Sequence, residues 1–167
     1  MVRSLTPAPN PFRNFDSTLP TTSANGGNPS RGQQLFRTAN LDGPFNCIDC
    51  HSIETGTDPF VTSAILDQTT QSINSPHLLN TYDKASYDRA SMDNNSGFGF
   101  IHDGTFESLF SFFNIPAFTF NSDQQRHDII GFMLAFSDVT HAGIGAQLTL
   151  PEAADGARAS LGEMVDA

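Results

Sequence analysis

Both cysteines of this chain fall inside one short stretch, FNCIDCHS from Phe45 to Ser52, with a histidine directly after the second. No other feature limits the fold so strongly, because three chemically capable side chains must leave one turn of backbone together. Three chemistries use such a pattern. A structural zinc site needs four ligands, usually in two spaced pairs, and the chain offers no second cysteine pair and no H-x-x-x-H type partner. A thioredoxin-like dithiol belongs between a strand and a helix of a βαβ unit, whereas the segment before Cys47 reads as helix and loop. C-x-x-C-H is also the attachment signature of c-type haem. Cys47 and Cys50 then add to the vinyl groups as thioethers, and His51 is placed beneath the iron as proximal ligand. Two intervening residues let one turn of backbone span both vinyl positions. One covalent haem c, with its iron, is therefore the expected cofactor.

The rest of the composition bounds the setting. The 167 residues carry 8 basic and 18 acidic side chains, a net charge of −10, which argues against nucleic acid as a partner. An acidic surface of this kind serves solubility, the more frequent reason for it, and equally suits a redox partner protein with a basic docking patch. No run approaches the ~20 apolar residues that cross a bilayer, and MVRSLTPAPNPF lacks the apolar stretch of a secretion signal. There are 15 Phe, two Tyr and no Trp. Many of the Phe lie in FGFIHDGTFESLFSFFNIPAFTF, a density that suits a core around something large and flat, or plain Phe-rich helix packing.

Along the chain, residues 1–29 are rich in Pro, Ser, Thr, Asn and Gly and read as an extended arm, with Phe12, Phe15 and Leu19 able to pin it to a surface. Ser30 and Gln33 form an S-x-x-Q cap for a first helix with Leu35, Phe36 and Ala39 on one stripe. Residues 52–75 read as a Thr-rich loop, SPHLLNTYDKA as a short helical turn after Pro76, and SMDNNSGFG as a loop only loosely like a calcium site. A short helix is expected over 105–114, stopped before Pro116. Ser122 and Gln125 cap a clearer one with Ile129, Ile130, Met133 and Leu134 on its apolar face. TLPE opens a last helical segment. No strand-period segment stands out. The expected organisation is an arm over 1–29, a haem-bearing domain over 30–148, and a C-terminal helical segment over 149–167, which also reads as the start of a further domain.

RGQQLF, GPFNCIDCH and DIIGFMLAF resemble the helical elements of bacterial c-type cytochromes, in which the first and last helices cross beside the haem. Gly32 with Phe36 and Gly131 with Phe132 would make that crossing. NPFRNFDSTL, SPHLLNTYDKA, GFGFIHDGT and GAQLTL resemble, over residues 10–150, the cytochrome domain of the di-haem cytochrome c peroxidase-like group of exported bacterial proteins. This chain departs from that group in having one C-x-x-C-H rather than two, and Leu79 where the group often has Arg. The resemblance implies a mainly α, cytochrome c-like helical domain wrapped around one covalent haem, with long loops and an extended arm. Haem attachment also implies a periplasmic or extracellular location, the signal peptide being absent from this chain.

The residue opposite His51 decides the chemistry, since a strong sixth ligand favours electron transfer and an open position permits peroxide or gas chemistry. Where the peroxidase group often has a Met, this chain has Ile115 and Pro116. His102, flanked by Phe100 and Phe106, is one candidate ligand, with Asp103 as its second shell or as a helix cap; a propionate or backbone hydrogen bond is its other role. Met92 is the alternative ligand. Phe36, Phe45, Phe100 and Met133 complete the expected haem pocket. His77, His127 and His141 have no partner at metal-ligand spacing. The leading reading is one-electron transfer by a single-haem c-type cytochrome domain rather than an enzyme. The alternatives are a peroxidase-like or ligand-sensing domain with an exchangeable sixth position, and a haem-stabilised module of a larger exported protein.

Overall fold

The computed structural model describes residues 8–59, 61–64, 71–85, 87–91, 99–101, 104–137 and 139–140. Two helices organise them. Helix α1, Pro29–Thr38, begins where Asn28 accepts a hydrogen bond from the Arg31 amide at 3.0 Å, and Pro29 takes the first helical position. The cap is thus Asn28 and not the expected Ser30, because a proline at N1 has no N–H to satisfy and arrives with helical φ. Helix α4, Asp123–Leu134, starts as its sequence indicates: Ser122 accepts from the Gln125 amide, and the Gln125 side chain accepts from Asn121 N at 2.8 Å. From Asp128 to Leu134 every residue of α4 is buried, so this half of the helix is enclosed on all sides rather than along one face.

The two helices cross where side chains vanish. A Cβ on Gly32 would overlap the Asp128 carbonyl and stand 2.7 Å from the Phe132 Cβ, so α1 lies on α4 with backbone nearly touching backbone. Phe36 and Phe132 pack edge to face beside this point, 5.2 Å between ring centroids. Arg31 grips the buried Asp128 carboxylate through Nε at 2.9 Å and Nη2 at 3.0 Å, while the Asn28 amide donates to the same carboxylate at 2.7 Å. The core gathers round this crossing from Phe36, Leu41, Leu78, Leu109, Phe113, Ile129, Phe132, Met133 and Phe136.

The expectation of a mainly α, cytochrome c-like domain is overturned. Besides α1 and α4, the described helices are single turns, α2 over Thr81–Lys84 and α3 over Leu109–Phe112. Between them run three two-stranded antiparallel ribbons: β1 (Ala8–Pro9) with β6 (Val139–Thr140), β2 (Asn40–Asp42) with β3 (Phe45–Asn46), and β4 (Val61–Thr62) with β5 (Ile73–Asn74). The result is a small mixed α/β fold. Ser, Asn, Gly and Pro interrupt each apolar run before a long helix can form, and the intervening amides find partners in short ribbons. The helix expected over 105–114 shrinks for this reason, since Ser108 and Ser111 cap one another's backbone.

The N-terminal arm is stitched to the far end of α4. Asn10 Nδ2 donates to Leu134 O and Ser137 O, and Arg13 donates to Ala135 O and Phe136 O, supplying the donors that a helix C-terminus lacks. Phe12 and Leu19 pack on the core, whereas Phe15 is fully exposed. Among the described residues no helix is long and apolar enough to cross a membrane. The expected TLPE segment lies outside the described residues, as does most of SMDNNSGFG.

Candidate functional site

The β2–β3 ribbon reverses at Gly43, whose φ of +55° suits a residue without a side chain, and delivers the chain to a 3-10 turn at Cys47–Asp49. Asp49 closes that turn by accepting the Asn46 amide at 2.8 Å. The amides of Cys50 and His51 both donate to Cys47 O, at 3.3 and 2.9 Å, so both thiols and the imidazole leave one tight turn. Helix α1 touches this turn, and the buried Phe36 ring lies 6.5 Å from the His51 ring and 5.9 Å from Phe136. The helix crossing therefore seats the imidazole: what fixes Phe36 fixes one wall of the histidine.

A hydrogen bond also constrains His51. Nδ1 lies 2.8 Å from the carbonyl oxygen of Gly56, and since that oxygen can only accept, Nδ1 carries the proton. This selects the tautomer whose Nε2 has the lone pair a metal requires, the arrangement by which a backbone carbonyl orients a ligating histidine.

Neither cysteine is in a disulfide. Burial, aided by the negative charge of Asp42, pushes the Cys47 thiol up to about 12. A thiol held protonated is a poor attacking group for disulfide exchange and a poor zinc ligand, both of which need the thiolate. Among the described residues no three His, Cys, Asp or Glu side chains converge to hold a metal ion. The donor set does suit covalent haem. Two thiols stand in one turn with an imidazole of the required tautomer, and Cys47, Ile48 and Ile53 pack against the hydrophobic core to give an apolar floor.

The remaining expected site residues divide. Phe36 stands beside His51. Phe45, directly before the thiol turn, is 38% exposed and so forms surface rather than an enclosed wall. Met133 is buried in the core. Phe100 pairs with Phe106 in an isolated bridge and has Phe112 as its ring neighbour at 6.5 Å, within a second aromatic group that runs through Phe113, Phe118 and Phe120. His102, Asp103, Met92 and His141 lie outside the described residues. His77 is exposed, and His127 is half-buried against the Phe110 ring. Sequence reasoning missed Gly56. A lone glycine in a Thr-rich loop five residues after His51 is its only trace in the sequence. No family model, curated protein or solved structure matches the chain.

Proposed function

We propose that this chain binds one haem covalently through Cys47 and Cys50, ligates its iron through His51, and transfers one electron at a time. The observation that carries the reading is the His51 Nδ1–H bond to Gly56 O, made from the same turn that presents two thiols, neither of them in a disulfide. Each thiol adds S–H across one vinyl group, so no oxidant is consumed and no disulfide forms. Bound there, the iron supplies a single reversible electron step. The chain's own part is to hold Nε2 toward the iron, press Phe36 against the imidazole and keep bulk water from the core side. His102 or Met92 would supply a second strong ligand to the iron, the condition for a centre specialised for electron transfer. Thioether formation belongs to the extracytoplasmic side of a membrane, and the net charge of −10 favours a donor or acceptor with a basic docking patch.

The test is to produce the chain together with a periplasmic haem-attachment system. Haem absorbance should survive denaturing electrophoresis, with Cys47→Ala and Cys50→Ala each leaving a single thioether and the double variant leaving none. A purified chain at its unmodified mass would refute attachment. The oxidised spectrum should be low-spin, with His102→Ala or Met92→Ala converting it to high-spin. A wild-type spectrum that is already high-spin, with ready binding of cyanide, would move the assignment to peroxide or gas chemistry.

A further inference from the structure

The Gly56 carbonyl that receives the His51 proton is held from outside its own loop. Gly56 is buried at a φ of +74°, and its amide donates to Ser52 O at 2.8 Å. Against it runs the segment Ser75–Leu78: a Cβ on Gly56 would overlap the Leu78 amide nitrogen and lie 3.2 Å from both the Leu78 Cα and its Cβ. Thr57 adds a second tie by donating through Oγ1 to Ser75 O. The segment is itself anchored at both ends. It leaves β5 at Asn74, and Leu78 O accepts from the Thr81 hydroxyl at 2.6 Å at the start of α2. The Leu78 side chain is sunk in the core, while Pro76 and His77 face solvent.

We infer that Ser75–Leu78 is a lever on the proximal histidine, with Leu78 a positioning residue that acts on His51 through the Gly56 backbone. The Gly56 backbone lies so close to the Leu78 amide that not even a methyl fits between them, and the Thr57 hydroxyl ties the residue after the carbonyl to Ser75 O, so the peptide that carries this carbonyl is packed against Ser75–Leu78. Loss of the contact lets the carbonyl drift, weakens the Nδ1–H bond and lowers the basicity of the imidazole at Nε2. In the haem-bearing chain, which rests on the function proposed above, a less basic ligand stabilises the oxidised iron less and the reduction potential rises.

The test uses the full chain as isolated, reduced if it carries haem, in three variants. Gly56→Ala drives a methyl at Leu78, Thr57→Val removes the tie to Ser75 and leaves Gly56 intact, and Ser122→Ala destabilises the fold at a distant helix cap. The expected result is that the first two shift the His51 Nδ1 15N resonance as a weaker hydrogen bond to Gly56 O requires and raise the midpoint potential, while Ser122→Ala lowers the melting temperature and moves neither. Unchanged 15N resonances in Gly56→Ala and Thr57→Val, or equal changes in Ser122→Ala, would overturn the lever. If no haem is attached, the 15N arm still decides the lever and only the proposed function fails. If haem is attached and the potential does not move, the lever fails and the function stands.

Discussion

Gly32→Ala sets two well-measured effects against each other at the helix crossing. In an exposed helix the change would stabilise by about 1 kcal/mol, because alanine loses less backbone freedom on folding than glycine. Here the new methyl would overlap the Asp128 carbonyl and press the Phe132 Cβ at 2.7 Å. A helix carbonyl and a Cβ cannot step aside as a flexible side-chain tip can, so α1 must lift off α4. Overpacking of a tight core costs about 1–3 kcal/mol, and the upper end applies because the obstacle is backbone. Subtracting the propensity gain leaves a net loss of about 1–2 kcal/mol, or a melting temperature lower by roughly 2–8 °C for a chain of this size. Ser30→Ala, on an exposed position of the same helix, is the control and should gain about 0.5 kcal/mol. Thermal and urea unfolding followed at 222 nm read both. If Gly32→Ala stabilises the chain as Ser30→Ala does, the two helices do not meet backbone to backbone and the account of how Phe36 reaches His51 falls with it.

Other consequences are independent of that crossing. Burial pushes the Asp128 carboxyl up, but hydrogen bonds from Arg31, Gln124 and the Asn28 amide outweigh it and hold its pKa below 3.8. The unfolded chain then binds a proton before the folded one does, so the stability Asp128 contributes is full above about pH 4 and is lost as pH falls through the lower folded pKa. Asp128→Asn should cost about 1–2 kcal/mol at neutral pH, discounted for the solvent-exposed Arg31, and should flatten the acid limb of a stability–pH curve; an unaltered limb would refute the assignment. In chain made without haem, Cys47 should alkylate on the order of a thousandfold more slowly than in the urea-unfolded chain, as mass spectrometry of iodoacetamide time courses would read; equal rates would contradict the protonated thiol. Arg13→Ala should cost about 1–3 kcal/mol and speed amide exchange around Leu134–Ser137 ahead of the rest of α4, with uniform acceleration arguing against a local clamp.

Local arrangements were more legible in the sequence than the architecture, and the reason is physical. Cys47, Cys50 and His51 announce themselves because their meaning depends on local spacing, and a single turn does hold all three. Ser122 likewise named the start of α4, since a cap is a contact between near neighbours. Gly32 and Phe36 were expected at a helix crossing from the resemblance to c-type cytochromes alone, and the structure has them against Asp128 and Phe132. Helical content was overestimated because apolar spacing cannot register how soon Ser108 and Ser111 will turn the backbone on itself, nor that two-residue ribbons will collect the loop amides. Asn28 displaced Ser30 as a cap because Pro29 was equally able to open the helix. Gly56, Asp128 and Asn10 were invisible for another reason: each acts on a partner whose importance lies in space, such as Asn10 on Leu134, 124 residues away.

That last contact, with the others that bind Asn10, Arg13, Asn28 and Arg31 to α4, also orders events in time. As the chain emerges from N- to C-terminus, the arm, α1 and the thiol turn all appear before the helix that they require. Contacts of such separation form late, because the intervening loop must be closed before any of them is gained. Until α4 arrives, Phe36 has no Phe132 to rest on, His51 has no seat and Cys47 is not yet half-buried. A modification of the thiols thus meets an open strand early and a sheltered one afterwards, and α4 is the element whose arrival closes the window.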